Sequence, residues 1–447
     1  MNLQQLTSLF TDAGAKKLYA KSLAENDNSK NQVYFAGAVE ALQVFPSPQV
    51  FAANTARGPT FKATLDFSWL LEHGNVAPAP EAKLILYSQY PEVRFSGFLE
   101  GCRLGPGQLM MDRKRAKLAA TEVQQQLVGR ILFLAVTNDG RTIGYVAAGN
   151  SEIAAEFSSR RYETAFLVFK EIPLRNQIGD AEAERLLLSE LHRIHNLGWI
   201  DSKQLNAEGL KPCTAQNCGG LTLEAEFGIP KNSSGEPDFK GWEIKQHAVT
   251  NFERPTSGGA ITLMTPEPTG GFYKDHGVEA FIRKFGYPDR RGRADRQNFG
   301  GIHRIGERHE RTKLMMMLRG YDLANHKITD ANGAIALIND EGEVAAEWAF
   351  TGILSHWSRK HMRAVYVPSK RRIGPTWQYC YGNHVRLARR TDSLRLLAAF
   401  ASGEVYYDPG IKLENASTAP VTKRRSQFRI SSGDIPALYE TVTSAQV

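Results

Sequence analysis

The chain has 447 residues and a formal net charge of +8, with 42% hydrophobic, 10% aromatic and 23% charged residues. That length exceeds one ordinary hydrophobic core and predicts at least two domains, and the composition excludes a disordered or fibrous chain. No run approaches the roughly 20 apolar residues of a membrane helix, and the opening MNLQQLTSLFTDAGAKK has neither the basic nor the apolar part of a signal peptide. No membrane partner is expected, and the expected compartment is the cytoplasm.

Residues 1–177 are predicted to form an α+β domain of their own. Runs rich in branched and aromatic residues at 83–87, 94–99, 130–136 and 142–147 read as strands, and Asn138-Asp139-Gly140 between the last two is a hairpin signal. Val76-Ala-Pro-Ala-Pro80 reads as a short extended spacer. Nothing in this part forms a catalytic pattern, and the preferred role is a DNA-contacting or effector module.

A second domain is expected over 178–447. Apolar residues at 187, 191 and 194 predict a helix packed along one side, with Asp180 as its N-cap and Gly198 as its terminator. The four cysteines, Cys102, Cys213, Cys218 and Cys380, are too few and too scattered for a disulfide framework and are expected as free thiols. Cys213 and Cys218 have no second close Cys or His pair, which argues against a structural zinc.

The chemistry concentrates further on. Gly219 to Ile229 reads as a short helix containing Thr222-Leu223-Glu224, the Asn232-Ser-Ser-Gly-Glu run as a loop, and Pro237-Asp238-Phe-Lys-Gly-Trp-Glu243-Ile-Lys245 as a turn entering a strand. Side chains alternate on a strand, so Glu243 and Lys245 share one face while Trp242 and Ile244 share the other. The polar pair is expected to face a site and the apolar pair a core. Phosphodiester hydrolysis needs a cation to stabilise phosphate charge and a water made nucleophilic and held in line. Asp238 and Glu243 can ligate Mg²⁺, a hard ion that prefers carboxylate oxygens, while Lys245 positions or helps deprotonate the water. A turn at Gly241 would let the two acids converge. Acid-x-Lys also occurs at Glu81-Ala-Lys83, Asp112-Arg-Lys114 and Asp201-Ser-Lys203, none of them after a Pro-Asp turn.

These residues carry a likeness. GlyLeuThrLeuGlu224, PheGlyIle, an Asn-containing loop and ProAspPheLysGlyTrpGluIleLys245 resemble the catalytic segment of the MvaI/BcnI restriction endonucleases, which is similar in turn to the mismatch-repair nickase MutH. The likeness spans about residues 180–447 and extends to Ile261–Gly271 and to the tail from Leu354. It implies a PD-(D/E)XK core, a mixed central β-sheet flanked by helices in an α/β (α+β) fold, preceded here by the separate N-terminal domain. It implies that Asp238 and Glu243 are metal ligands, Lys245 is the catalytic lysine, and Glu224 is a helix-borne acid beside the metal. On spacing alone Glu224 reads as a solvent-facing helix residue. The implied activity is Mg²⁺-dependent, sequence-specific cleavage of double-stranded DNA, by a monomer encoded near a cognate DNA methyltransferase.

The charge distribution points the same way. Between Ser355 and Ile430 there are fifteen Lys or Arg against four acids, a phosphate-binding footprint. A second basic region holds Arg290, Arg291, His303 and Arg304; the two histidines at 303 and 309 lack metal-site spacing and read as DNA contacts or surface residues. Base reading is expected from Lys360-His361 and from the Lys423–Arg429 run. If that run is a strand, Arg425, Gln427 and Arg429 share one face, and Arg424 lies on the other. Two other functions use the same residues: a MutH-like nicking or defence nuclease regulated by the N-terminal domain, and a DNA-binding protein with an inactive nuclease core. Plasmid cleavage products separate them.

Overall fold

The structure is a computed structural model, and it describes residues 1–24, 32–36, 44–47, 50–56, 58–88, 92–110, 125–162, 164–166, 168–174, 180–231, 237–253 and 259–447. The chain divides into two compact units, Met1–Asp180 and Ala181–Val447. The boundary expected between 177 and 178 lies outside the described residues.

In the first unit a seven-stranded sheet runs in the order Thr164–Phe166, Phe169–Glu171, Ala15–Ser22, Ile131–Thr137, Thr142–Ala147, Phe67–Leu70, Val76–Pro78. The helices Leu3–Asp12 and Glu152–Ser159 supply Leu6, Phe10, Ile153 and Phe157 to a core with Leu18, Phe133 and Ile143 from the strands. The expected hairpin is present, with Ile131–Thr137 antiparallel to Thr142–Ala147. Val76–Pro78 is not a spacer: it pairs antiparallel with Phe67–Leu70 as an edge strand, a position that tolerates proline because one backbone side needs no partner. A second sheet holds five strands in the order Val33–Ala36, Glu92–Ser96, Lys83–Tyr87, Gly58–Thr64, Val50–Thr55.

The second unit opens one residue into the helix Asp180–Asn196, in which Asp180 is the first helical residue rather than the cap before it. Gly198, at φ 64°, takes the left-handed conformation that lets the chain leave the helix cheaply. A mixed sheet lies beneath. Its order is Ile200–Asp201, Trp377–Tyr381, Arg363–Ile373, His384–Arg389, Thr441–Gln446, and Glu243–Ala248 pairs parallel to Arg363–Ile373. One sheet face supplies Ile244, Val365, Val367, Val385 and Leu387 to a core with Leu187, Leu191, Ile194 and Leu223 from the helices. The mixed α/β architecture expected from the sequence is therefore present. Smaller antiparallel sheets complete the unit around aromatic contacts such as Trp348–Tyr407 and Trp348–Phe428, at centroid distances of 4.7 and 5.0 Å. Among the described residues no helix is long and apolar enough to cross a membrane.

Candidate active site

The turn before the motif strand brings the two motif acids together. Phe239 N donates to Trp242 O at 2.9 Å and Trp242 N donates back to Phe239 O at 2.8 Å, closing a two-residue hairpin. Its central residues, Lys240 at φ 49° and Gly241 at φ 83°, both lie in the left-handed region, as a type I′ turn requires. Glycine also leaves room for Arg363, whose Nη2 would lie 2.9 Å from a Cβ at position 241. Asp238 is thereby folded back onto the first rung of the strand, where its Oδ2 accepts from Ile244 N at 2.9 Å. The preceding loop, residues 232–236, lies outside the described residues.

The strand Glu243–Ala248 then alternates as expected. Trp242 and Ile244 enter the core, and Glu243 and Lys245 lie on the other side. Glu243 is buried, 2.8 Å from Lys245 Nζ and 3.9 Å from Lys360 Nζ through Oε1. Its second oxygen, Oε2, is buried with no hydrogen-bond partner. A buried carboxylate oxygen without a donor is costly, so this atom is poised for a ligand.

The third acid comes from the helix Cys218–Glu226. Gly219 lets this helix approach the motif strand, because a Cβ there would sit 2.8 Å from Gln246 Oε1, and the Tyr381 hydroxyl donates to Gly219 O at 2.7 Å. Buried Thr222 ties the helix to Lys203: its Oγ1 accepts from Lys203 N and donates to Lys203 O, both at 3.1 Å. Leu223 enters the core, and Glu224 is turned toward Asp238 rather than solvent.

Electrostatics make these groups one site. Burial, then the charges of Asp238 and Glu243, push Glu224 up to about 7 against the pull of Lys245 and Lys360. Burial, then Glu243, push Asp238 up to about 6, opposed by the Ile244 amide and the two lysines. Burial disfavours the charged form of Lys245, but Glu243 and Asp238 outweigh it and hold the ammonium above its ordinary value. Lys245 is therefore a fixed cation here, suited to orienting a phosphate or water. Three carboxylates facing two lysines leave the cluster short of positive charge.

A divalent cation fits that shortage. Among the described residues no group of three or more His, Cys, Asp or Glu is arranged to hold a metal ion. Mg²⁺ does not need one, since it is usually held by one or two carboxylates and keeps several waters. Asp238 and Glu243, with its unpartnered Oε2, are the donors in place.

Other residues expected to touch DNA are placed unevenly. Lys360 reaches the acid cluster. His361 is fully buried and stacked on Trp357 at 4.0 Å, and burial, then Lys245, hold it well below the usual histidine value, so it does not reach out to read a base. His303 is also buried: Nδ1 bonds Gly301 O at 3.0 Å and Nε2 bonds Thr312 Oγ1 at 2.9 Å, and burial followed by His309 lowers it to about 3. It is a core histidine, not a surface contact. Arg290 and Arg291 are exposed in the turn between Tyr287–Pro288 and Arg296–Gly300. Arg304 donates to Gly403 O at 3.2 Å and lies 5.0 Å from the Tyr406 ring.

The Lys423–Arg429 run is not one strand. Val421–Lys423 belongs to one sheet and Phe428–Ser431 to another, and residues 424–427 cross between them. The expected common face for Arg425, Gln427 and Arg429 is therefore lost. Arg424 and Arg425 are exposed, Arg425 donating to Gln216 Oε1 at 3.3 Å. Gln427 is buried, and Arg429 is committed to Asp408 at 2.6 Å and Ala260 O at 2.7 Å.

The sequence reading missed three residues on the polar face of the sheet. Tyr366 sits opposite Lys245 in parallel register, bonds the Tyr439 hydroxyl at 3.0 Å, and faces Arg386 on the next strand. Arg386 is buried, with Nε and Nη2 lacking hydrogen-bond partners. Reading Arg363–Ile373 as the strand beside the motif would have found Tyr366. Another correction concerns Cys213 and Cys218, which are joined as a disulfide instead of being free; their four-residue spacing brackets the bend that enters the Cys218–Glu226 helix. Cys102 and Cys380 are free.

No curated protein matches the chain. Among solved structures it is similar to a complex of the restriction endonuclease MvaI with its cognate DNA substrate, at 16% identity and a TM-score of 0.45, covering 60% of this chain and 99% of that one. It is also similar to MvaI in the absence of DNA, at 16% identity and a TM-score of 0.32, covering 60% and 98%. The sequence profile of the MvaI/BcnI restriction endonuclease family matches residues 188–439, more than half of the chain and all five residues of the acid and lysine cluster. The chain belongs to the MvaI/BcnI restriction endonuclease family and is, by that membership, a type II DNA endonuclease.

Proposed function

We propose that this enzyme is a Mg²⁺-dependent restriction endonuclease that hydrolyses phosphodiester bonds at a specific sequence in double-stranded DNA. The observation that carries the reading is the convergence of Glu224, Asp238 and Glu243 on one lysine-bearing strand, with Glu243 Oε2 left without a partner.

Asp238 and Glu243 would hold the ion, and Glu224 would add negative charge beside them. Mg²⁺ in that position would stabilise charge on the phosphate and acidify a water. Lys245, fixed as an ammonium, orients the attacked phosphate and its water, and Lys360 adds a second positive charge on the same side. Tyr366 and Tyr439 are both buried and bonded to each other, and Tyr366 pairs in register with Lys245. Exposed Arg290, Arg291, Arg424 and Arg425 contact the duplex, chiefly through phosphates.

The biological setting is defence against phage in the cytoplasm, where a cognate DNA methyltransferase protects the host's own sites. The enzyme acts as a monomer, and its residues 1–177 contact DNA or sense an effector. Incubation of the purified chain with supercoiled plasmid tests the reading. With Mg²⁺ we expect linear fragments of defined ends and no cleavage with chelator. Nicked circles alone would favour a MutH-like nickase, and cleavage undiminished by chelator would refute the metal assignment.

A further inference from the structure

The hairpin of Arg363–Ile373 and Trp377–Tyr381 extends past the acid cluster, and its far end takes no part in the chemistry described above. Its first strand ends in three consecutive cations, Lys370, Arg371 and Arg372, followed by Ile373, which is 65% exposed. Each cation lies over an aromatic ring: Lys370 is 4.6 Å from Phe252, Arg371 4.8 Å from Trp377 and Arg372 4.5 Å from Trp199. Arg372 Nε also donates to Gln378 Oε1 at 2.6 Å. Among the described residues none of the three is ion-paired to a carboxylate.

Long cationic side chains on a surface are normally mobile, and ordering them costs rotamer entropy. Here ring stacking has already ordered them, without neutralising them. Ordered, uncompensated positive charge with an apolar tip is what a DNA backbone contact uses: guanidinium groups on phosphates and an aliphatic side chain against the groove. Strand alternation puts Arg371 and Ile373 on one side and Lys370 and Arg372 on the other, so the hairpin presents charge on both sides.

We propose that this hairpin is an arm that grips duplex DNA outside the cleaved site, with Arg371 and Arg372 on phosphates and Ile373 against the groove. The proposal rests on the endonuclease reading of the site. Register sets its reach. Lys245 pairs with Tyr366, and Ile373 lies seven residues further along the same strand, roughly 23 Å away at the usual strand rise. At the ~3.4 Å rise of a duplex this corresponds to at most about seven base pairs from the cut.

The test uses the full chain in Ca²⁺ with blunt duplexes carrying one cleavage site, mapped by sequencing plasmid digestion ends, and flanks from about three to about twelve base pairs. Wild-type affinity should rise as one flank approaches about seven base pairs and then level off. Arg371→Ala/Arg372→Ala should lose that rise and show a salt slope shallower by about two, whereas Arg371→Lys/Arg372→Lys should keep most of it. Wild-type affinity independent of flank length overturns the arm, and so does a double alanine variant that keeps the rise. The wild-type arm of the experiment needs no variant to fold. A chain that cuts plasmid but ignores flank length refutes the arm alone; one that cuts nothing refutes the endonuclease reading and the arm with it.

Discussion

Lys245 Nζ lies 2.8 Å from Glu243 Oε1, so the acid and the base of the Glu-x-Lys motif are ion-paired within a single strand. The pair is largely buried, and removal of either partner leaves the other charge poorly compensated. Lys245→Ala should therefore lower cleavage by at least about 100-fold, the usual scale for losing a positioned charged group. The variant should stay folded, with a Tm lowered in chelator and recovered on adding a divalent cation. Retained cutting by Lys245→Ala would sink the role assigned to it. Asp238→Ala and Glu243→Ala should also abolish cleavage while DNA binding persists.

The raised carboxyl values set a pH dependence. Asp238 rises to about 6 and Glu224 to about 7, both above their unfolded values near 4. For a raised acid, the stability contribution is fully present below the unfolded value and is lost as pH rises through the folded one. Without divalent cation the protein should thus lose stability between about pH 4 and about pH 7. Mg²⁺ or Ca²⁺ should raise Tm more at the upper end of that range than at the lower, and Asp238→Asn should flatten the difference. A cation-induced shift independent of pH would contradict the cluster.

The same protons compete with the ion. Cleavage at limiting Mg²⁺ should fall as pH drops through about 7 and about 6, and a higher Mg²⁺ concentration should move the fall to lower pH. Ca²⁺ should support DNA binding without turnover, because the larger ion accepts these ligands but positions water poorly. Rapid cleavage in Ca²⁺ would argue against that division.

Two arginines of the basic tail should behave differently. Arg429 is held by Asp408 and the Ala260 carbonyl, so Arg429→Ala should cost about 1–3 kcal/mol of stability and weaken all duplexes together. Arg425 is exposed, with a single long hydrogen bond to Gln216. Arg425→Ala should leave Tm unchanged and weaken binding; a loss of about 1–3 kcal/mol confined to the cognate duplex would assign it to a base, and an equal loss on a duplex with one pair changed would assign it to a phosphate. Thermal melts and anisotropy in Ca²⁺ measure both. Unchanged binding by Arg425→Ala would remove it from the interface.

How much of this was readable in the sequence depended on how local the cause is. The Asp238-to-Lys245 geometry was legible because a Lys-Gly turn and a two-residue period decide it within eight residues. Glu224 was ambiguous because its surroundings come from a separate strand and turn. His303 reads as a polar surface residue because nothing within a few positions reveals that Thr312 will enclose it, whereas Trp357, four residues before His361 and at helical spacing, is the one local sign that His361 packs inward. The tail run misled for a related reason: the strand-forming residues Val421, Thr422, Phe428 and Ile430 flank it on both sides, but the chain uses residues 424–427 to pass between two sheets. The Cys213–Cys218 bond was missed because the count of cysteines argues against a framework but says nothing about one local pair.

The last prediction concerns the two units. The first has a core built from residues between Leu3 and Leu174, and the second a core built from residues between Leu187 and Leu387 together with the active site. The motif acids, both lysines and the exposed arginines proposed to touch DNA all lie after Asp180. A chain beginning at Ala181 should therefore fold cooperatively, bind Mg²⁺ with the same pH dependence, and cut plasmid at the same sequence as the full chain. Residues 1–177, as a DNA-contacting or effector module, should then alter rate or affinity without moving the cut. Circular dichroism melts and sequencing of digestion ends from both chains are the measurements. A truncated chain that cuts at new positions would assign part of the specificity to the first unit, and an insoluble one would show that the second core is incomplete without it.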